Sequence, residues 1–329
     1  MYLAGDLGGT KTVLALFERQ GDDLSPVRES TFPSREFATF DEVLGAFFKE
    51  RTEPALRSSC FGVAGTVVDG RCKMTTDPPG WVLDERALAE TLSISRVKLL
   101  NDLEAMAFGM LHLRPEELIP LNPGAVTGRK GNVGVIAAGT GLGEALLYWD
   151  GQAYHPIASE GGHGDFGPRT DLEVALMRHL RAKFGFHVSY ERVLSGPGFS
   201  NIYGFLRDRG EVPESPEVAE KLKTGDPNAT ISELGLAGSD PLCAATVDLF
   251  RDIYGAEAGN LALRAVAIGG VFLGGGIAPK ILPALRKGGF LSNFVAKGRF
   301  ADFLKQIDVR VALNPAAPLL GAAHYAARL

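Results

Sequence analysis

Chemistry in this chain concentrates where glycine and carboxylate occur together. Gly5-Asp6-Leu7-Gly8-Gly9-Thr10-Lys11-Thr12 sets an acidic residue and paired glycines at the end of an apolar run, Tyr2 to Leu7. The run mimics the P-loop spacing, but Thr10 stands where that motif needs its second glycine. Val13 to Phe17 then reads as a strand and not as a phosphate-capping helix. The better reading is a hairpin turn whose small residues let backbone N–H groups and the Thr10 hydroxyl approach a triphosphate. Asp6 can hold Mg2+ through water, because magnesium keeps much of its hydration shell.

A second turn, Ala138-Gly139-Thr140-Gly141-Leu142-Gly143, follows another apolar run, Asn132 to Ala138. It opens a strand, whereas a dinucleotide-binding fingerprint opens a helix. Phe272-Leu273-Gly274-Gly275-Gly276-Ile277 reads as a strand, three glycines and a helix. Bare backbone there leaves room for a flat adenine ring.

Leu99-Leu100-Asn101-Asp102 ends a strand in a carboxylate, where open α/β sheets place their sites. Phosphoryl transfer to a hydroxyl needs a base aimed at the acceptor, and Asp102 suits that task. Asn101 can hydrogen-bond a neighbouring hydroxyl. The plainer reading is an Asn-Asp cap for the following helix, and both roles can coexist at Asn101. Glu160-Gly161-Gly162-His163-Gly164-Asp165 packs an imidazole between carboxylates, a donor and acceptor mixture suited to sugar hydroxyls. A metal site is the rival, but no second histidine lies at i+4 and no cysteine is near. Glu191, in Glu191-Arg192-Val193-Leu194-Ser195-Gly196-Pro197-Gly198, is a further candidate, or else a solvated first-turn helix residue. His112, His155, His179, His187 and His324 show no partners in the sequence and receive no role.

These residues need a scaffold, and the pattern supplies one. Strands are predicted at Tyr2–Leu7, Thr12–Glu18, Ser59–Ala64, Val97–Leu100, Asn132–Ala138, Glu144–Trp149 and Val309–Ala312. Helices are predicted at Phe40–Lys49, Asp84–Thr91, Asp171–Phe184 and Leu242–Ala267, with a last one at Pro318–Arg328. Strands alternating with helices indicate α/β architecture. Two glycine hairpins about 130 residues apart suggest a duplicated fold with one ligand between its halves, divided near residue 110.

The chain has 329 residues, 45% hydrophobic and 22% charged, enough for two cores. Its net charge of −5 supplies no basic field for nucleic acid or anionic lipid. No apolar run approaches the ~20 residues of a membrane span. The N-terminus enters the first strand without a basic n-region, and three scattered cysteines form neither a disulfide framework nor a zinc site. A cytoplasmic protein is the expectation.

In order and approximate spacing, the Gly5–Thr10, Leu100–Asp102, Ala138–Gly143, Glu160–Phe166, Glu191–Gly198 and Gly274–Ile277 motifs resemble the bacterial glucokinase family, within the hexokinase/actin-like ATPase superfamily. The resemblance runs from residue 5 to Gly321. It implies transfer of phosphate from ATP to the 6-hydroxyl of glucose, Mg2+, a homodimer, and a duplicated actin-like (ribonuclease H-like) fold whose two domains flank a cleft. One domain would be residues 1–110 with 316–329, the other 111–315. The resemblance maps the base onto Asp102, and sugar contacts onto Asn101, Glu160, His163 and Glu191. No cysteine cluster follows His163, which sets the chain apart from the repressor/kinase (ROK) group. Leu103-Glu104 and the Thr75–Trp81 loop depart from the family pattern, which leaves open a preference for mannose or glucosamine. A non-catalytic sugar sensor and a chaperone- or filament-type ATPase are the other classes, and ADP or polyphosphate are alternative donors.

Overall fold

The computed structural model describes residues 1–21, 23–49, 55–75 and 78–329. It separates into two compact units. One comprises Met1–Pro115, Leu146–Ala158 and Asn314–Leu329, and the other Glu116–Ala145 and Ser159–Leu313.

The first unit opens with β1 (Tyr2–Leu7), β2 (Lys11–Gln20), β3 (Asp23–Pro33) and α1 (Phe40–Phe48). After β4 (Ser58–Val63) come a small ribbon, β5 (Arg71–Lys73) and β6 (Val82–Asp84), then α2 (Glu85–Leu92), β7 (Val97–Asn101) and α3 (Asp102–Met110). The main sheet has the order β3-β2-β1-β4-β7. β1 is antiparallel to β2 and parallel to β4, and β4 is parallel to β7. The alternation of side chains along β1 sends Leu3 and Leu7 to one face and Tyr2 and Ala4 to the other. The first face packs on Phe40, Val43 and Phe47 of α1, together with Phe61 and Trp81. The second packs on α3 and on the C-terminal helix, Ala317–Arg328. Because both faces are covered, β1 and β4 are buried almost throughout.

The C-terminal helix sits against α3 at a distance that only small residues permit. A Cβ on Gly321 would lie 1.8 Å from the Ala105 carbonyl oxygen, and one on Gly109 would lie 1.9 Å from that of Ala317. Ser58 Oγ ties the same helix to β4 through the Ala326 carbonyl, at 2.5 Å.

The strands of the second large sheet follow the same plan. β8 (Leu118–Pro120), β9 (Val133–Ala138), β10 (Leu142–Trp149), β11 (Tyr154–Ser159), β12 (Gly270–Gly274) and β13 (Val309–Ala312) form a sheet of order β11-β10-β9-β12-β13-β8. Without the short β8, this repeats the 3-2-1-4-5 order of the first sheet, each hairpin followed by parallel partners. The duplication expected from the two glycine turns is thus present in the topology. Helices fill the interval between β11 and β12: α4 (Asp171–Phe184), α5 (Gly196–Arg209), α6 (Pro216–Thr224), α7 (Pro227–Ala237) and α8 (Pro241–Ala265). A four-residue helix, α9 (Ile277–Lys280), follows β12. Stacked Phe199 and Phe250, with Tyr254 and Phe290 edge-on beyond them, form the aromatic centre of this unit.

Sequence periodicity did not anticipate β3, β11 or α5. β3 carries charged and exposed residues, and β11 is also half-exposed, so neither shows a clean apolar alternation. All three cysteines are buried and free. No helix among the described residues is long and apolar enough to cross a membrane.

Gly321→Val should lower the free energy of unfolding by roughly 2 kcal/mol, because the helix must move away from the Ala105 carbonyl. A urea midpoint equal to wild type would show that the two helices separate without cost.

Candidate functional site

Register decides what meets in the first unit. Asp6 pairs with Gly62, Gly62 with Leu100, and Val63 with Asn101. The carboxyl ends of β1, β4 and β7 therefore lie on one level, with Asp6 and Asn101 on strands roughly 10 Å apart. Gly62 stands between them, and its bareness admits α3: a Cβ there would lie 2.8 Å from Ala105 Cβ.

The Gly8-Gly9-Thr10 turn connects β1 to β2 and is held from outside. Ser34 Oγ donates to the Gly8 carbonyl at 2.7 Å and lies 2.9 Å from Thr12 Oγ1. Ser34 N–H donates to the Thr10 carbonyl at 3.0 Å. Thr10 itself is exposed. Burial pushes the Asp6 carboxyl above its ordinary value, and the Lys11 charge pulls it down. A desolvated carboxylate of this kind suits a cation, since Mg2+ needs only one or two protein carboxylates beside phosphates and water. No group of three or more His, Cys, Asp or Glu that could cage a metal exists among the described residues.

Asn101 is the N-cap of α3. Its Oδ1 accepts from Leu103 N–H at 2.9 Å, and its Nδ2 donates to the Gly65 carbonyl at 3.1 Å. Glu104 completes a capping box by accepting from Asn101 N–H at 2.9 Å. The departure at Leu103-Glu104 thus has a structural reason. Asp102 occupies the first helical position, half-buried, where the helix dipole favours negative charge. The capping reading is correct for Asn101, and the cap fixes the helix start on which Asp102 stands.

In the second unit the remaining motifs converge on the end of β9. Gly274 pairs with Ala137, so the Gly139-Thr140-Gly141 turn and the Gly274–Gly276 run emerge side by side. Gly275 has φ +76°, and a Cβ on it would lie 2.4 Å from the Ala138 carbonyl. Cβ atoms on Gly139 and Gly276 would meet nothing within 4 Å, so bare backbone faces open space there. Gly196 N–H donates to the Gly139 carbonyl at 2.8 Å, which brings the Glu191–Gly198 run onto this turn.

Glu191 is not a solvated helix residue. It lies half-buried in a 3-10 turn, Tyr190–Arg192, and its Oε2 accepts from Leu142 N–H at 3.0 Å, directly beside Gly141. Ser195 holds the run in shape by donating to the Glu191 carbonyl at 2.7 Å and accepting from Gly198 N–H at 3.3 Å. Glu160 and His163 are exposed at the two ends of one tight turn, with His163 N–H bonded to the Glu160 carbonyl at 3.0 Å. Tyr190 N–H donates to the Gly164 carbonyl at 3.0 Å, so this turn and the Glu191 segment are neighbours.

The other histidines do have partners. His155 contacts Asp150 at 2.7 Å and His187 contacts Asp165 at 3.0 Å. His179 packs on Phe205. His112 stacks on His324 at 3.5 Å, and burial followed by the His324 charge pushes it down to about 4. These partners are distant in sequence or off any periodic pattern. In the Thr75–Trp81 loop, Thr76 and Asp77 lie outside the described residues, while Trp81 is buried and donates to the Phe37 carbonyl at 3.1 Å. Ser34, Gly65 and Glu104 carry no motif, and only the capping-box spacing of Glu104 could have flagged one of them.

A family model described as Glucokinase matches residues 3–329. The chain is 41% identical over 343 residues to a glucokinase of Trichormus variabilis, an alignment covering 100% of this chain and 99% of the relative. A crystal structure of a glucokinase from an Antarctic psychrotroph matches with a TM-score of 0.86 at 28% identity, covering 100% of this chain and 99% of the other. The glucokinase of Balamuthia mandrillaris, solved in complex with glucose, shares the fold at 21% identity and a TM-score of 0.80, covering 99% and 93%. The architecture is the duplicated actin-like ATPase fold, and its class is that of a hexose kinase. The chain belongs to the glucokinase family.

Asn101→Ala removes the cap and the donor to the Gly65 carbonyl, and should reduce stability by about 1–2 kcal/mol. Chemical denaturation checks this, and an unchanged midpoint would mean that neither the cap nor the Gly65 bond stabilises the fold.

Proposed function

We infer that this protein transfers the γ-phosphoryl group of ATP to the primary hydroxyl of glucose, with Asp102 as general base. The observation that carries the reading is the placement of Asp102 on the capped start of α3, at the sheet edge that also carries Asp6 and the Gly8–Thr10 turn. Asp102 takes the hydroxyl proton as the oxygen attacks in line, and its negative charge is stabilised by the helix N-terminus until the proton arrives. Backbone N–H groups of Gly9 and Thr10 and of Thr140 and Gly141 meet the phosphates. Gly5 and Leu7, expected at the nucleotide, lie inside β1, and the N–H groups of Gly8 and Gly139 are used within their own turns. Gly274, Gly275 and Gly276 leave space for adenosine. Asn101, Glu160, His163 and Glu191 hold the sugar's ring hydroxyls. Asp6 would hold Mg2+ through water, and the ion would neutralise charge on the β- and γ-oxygens. The product supplies glycolysis in the cytoplasm, and the working enzyme is a homodimer, as the family resemblance implies.

Glu191 already bonds Leu142 N–H, which leaves its second oxygen for a hydroxyl. This arrangement couples the sugar contact to the phosphate turn through one side chain.

Asp102→Ala should lower kcat by about 10²–10⁴-fold while ATP binding stays near wild type. Glucose-stimulated ADP release measures the first and nucleotide titration the second. Turnover preserved in the variant would remove Asp102 from the mechanism.

A further inference from the structure

Beneath the Gly161–His163 turn lies a group of ionisable side chains, two of them buried carboxylates, that the transfer reaction does not use. Glu144 comes from β10 and Glu257 from α8, and they are 1% and 0% exposed. Arg264 ion-pairs with both, its Nη2 lying 3.3 Å from Glu144 Oε2 and closer to Glu257 Oε1. Asn260 Nδ2 donates to Glu257 Oε2 at 2.7 Å and to the Tyr190 hydroxyl at 3.2 Å, and Lys297 Nζ donates to Asn260 Oδ1 at 2.6 Å.

The turn rests on this group. A Cβ on Gly161 would lie 2.3 Å from Glu144 Oε2, and one on Gly162 would lie 1.9 Å from the Leu142 carbonyl oxygen. The backbone between Glu160 and His163 therefore sits directly on the Glu144 carboxyl and on the start of β10. Two carboxylates facing one guanidinium leave a negative charge uncompensated in a buried place, which is costly. Glu144 Oε1 is buried with no hydrogen-bond partner, and burial beside Glu257 favours the protonated form of this carboxyl.

We propose that Glu144, paired with Glu257 and Arg264, is a positioning residue that fixes the Gly161–His163 turn and thereby sets affinity for the sugar. This rests on reading Glu160 and His163 as sugar contacts.

The charged and titratable groups facing Glu144 are Glu257, Arg264 and Tyr254 from α8, with Tyr190 and Lys297 at the margin of the group. Burial, then the Glu257 charge, pushes the Glu144 carboxyl up to about 8, against the Arg264 charge. An acid raised above its unfolded value contributes stability that is full below about 4.5 and lost as pH rises through about 8. Loss of the proton places a second negative charge against the Gly161 backbone and displaces the turn.

Two variants test the proposal in the whole chain. Glu144→Gln mimics the protonated acid, so its glucose KM should stay within about twofold of wild type near pH 7, without the alkaline rise in KM expected of wild type. Its unfolding midpoint should be flatter with pH between about 5 and 9 than that of wild type. Glu144→Ala removes the support, and should raise glucose KM about tenfold with a much smaller change in kcat. A Gln variant that raises KM as much as the Ala variant, or that keeps the alkaline rise, would overturn the positioning role. Glu160→Gln and His163→Ala report on the underlying reading: glucose KM unchanged in both would mean that the loop does not bind the sugar. The stability profile of Glu144→Gln still reports on the Glu144 proton in that event, and a slope equal to wild type would overturn the raised acid.

Discussion

The parallel, in-register pairing of β1, β4 and β7 is the constraint on which the first unit's site depends. It brings the ends of three strands to one level, so that Asp6, the Gly8–Thr10 turn and Asn101 share an edge. A slip of one residue would turn Asp6 to the opposite face and break the Asn101 hydrogen bond to the Gly65 carbonyl. Glycine at position 62 makes the pairing compatible with the helix, because α3 passes where a side chain would stand. The cap at Asn101 then converts a strand end into a fixed carboxylate.

The second unit uses the same sheet order for a different purpose. Its strand ends present bare backbone at Gly139, Gly141, Gly275 and Gly276, while its charged groups come from loops, from β10 and from α8. Positive φ and close backbone contact make Gly275 irreplaceable, whereas Gly139 and Gly276 are bare where space is open. Glu191 shows how side chain and backbone trade roles: its carboxylate completes the hydrogen bonding of the hairpin and stays beside the turn. Below that layer, Glu144 and Glu257 are buried carboxylates held against the half-exposed Arg264 guanidinium, and breaking such a pair is costly.

Much of this was legible from residue order. Tyr2–Leu7, Asp171–Phe184 and Val309–Ala312 have the bounds that periodicity gives, since each buries one face or both without interruption. The glycine turns were readable because a P-loop or a dinucleotide fold would have required helices after them, and strands followed. β3 was not readable, because it is an edge strand whose exposed residues carry charge and interrupt the apolar pattern. The histidine partners were hidden for another reason. His112 and His324 are far apart in the chain, and their stacking exists only once α3 and the C-terminal helix pack together.

By itself the sequence determined the α/β class, the duplication and the identity of the candidate groups, because strand period, turn chemistry and residue type are local properties. Tertiary structure decided what each group does in place. It turned Asn101 into a cap with both ends of its amide engaged, and gave Ser34 its hold on the first turn. It also carried Glu191 from an apparent helix residue to the second hairpin, and set Glu144 beneath the Gly161 turn. Those outcomes depend on contacts across tens to hundreds of residues. No local pattern encodes such contacts, since they arise from the burial of whole elements against one another.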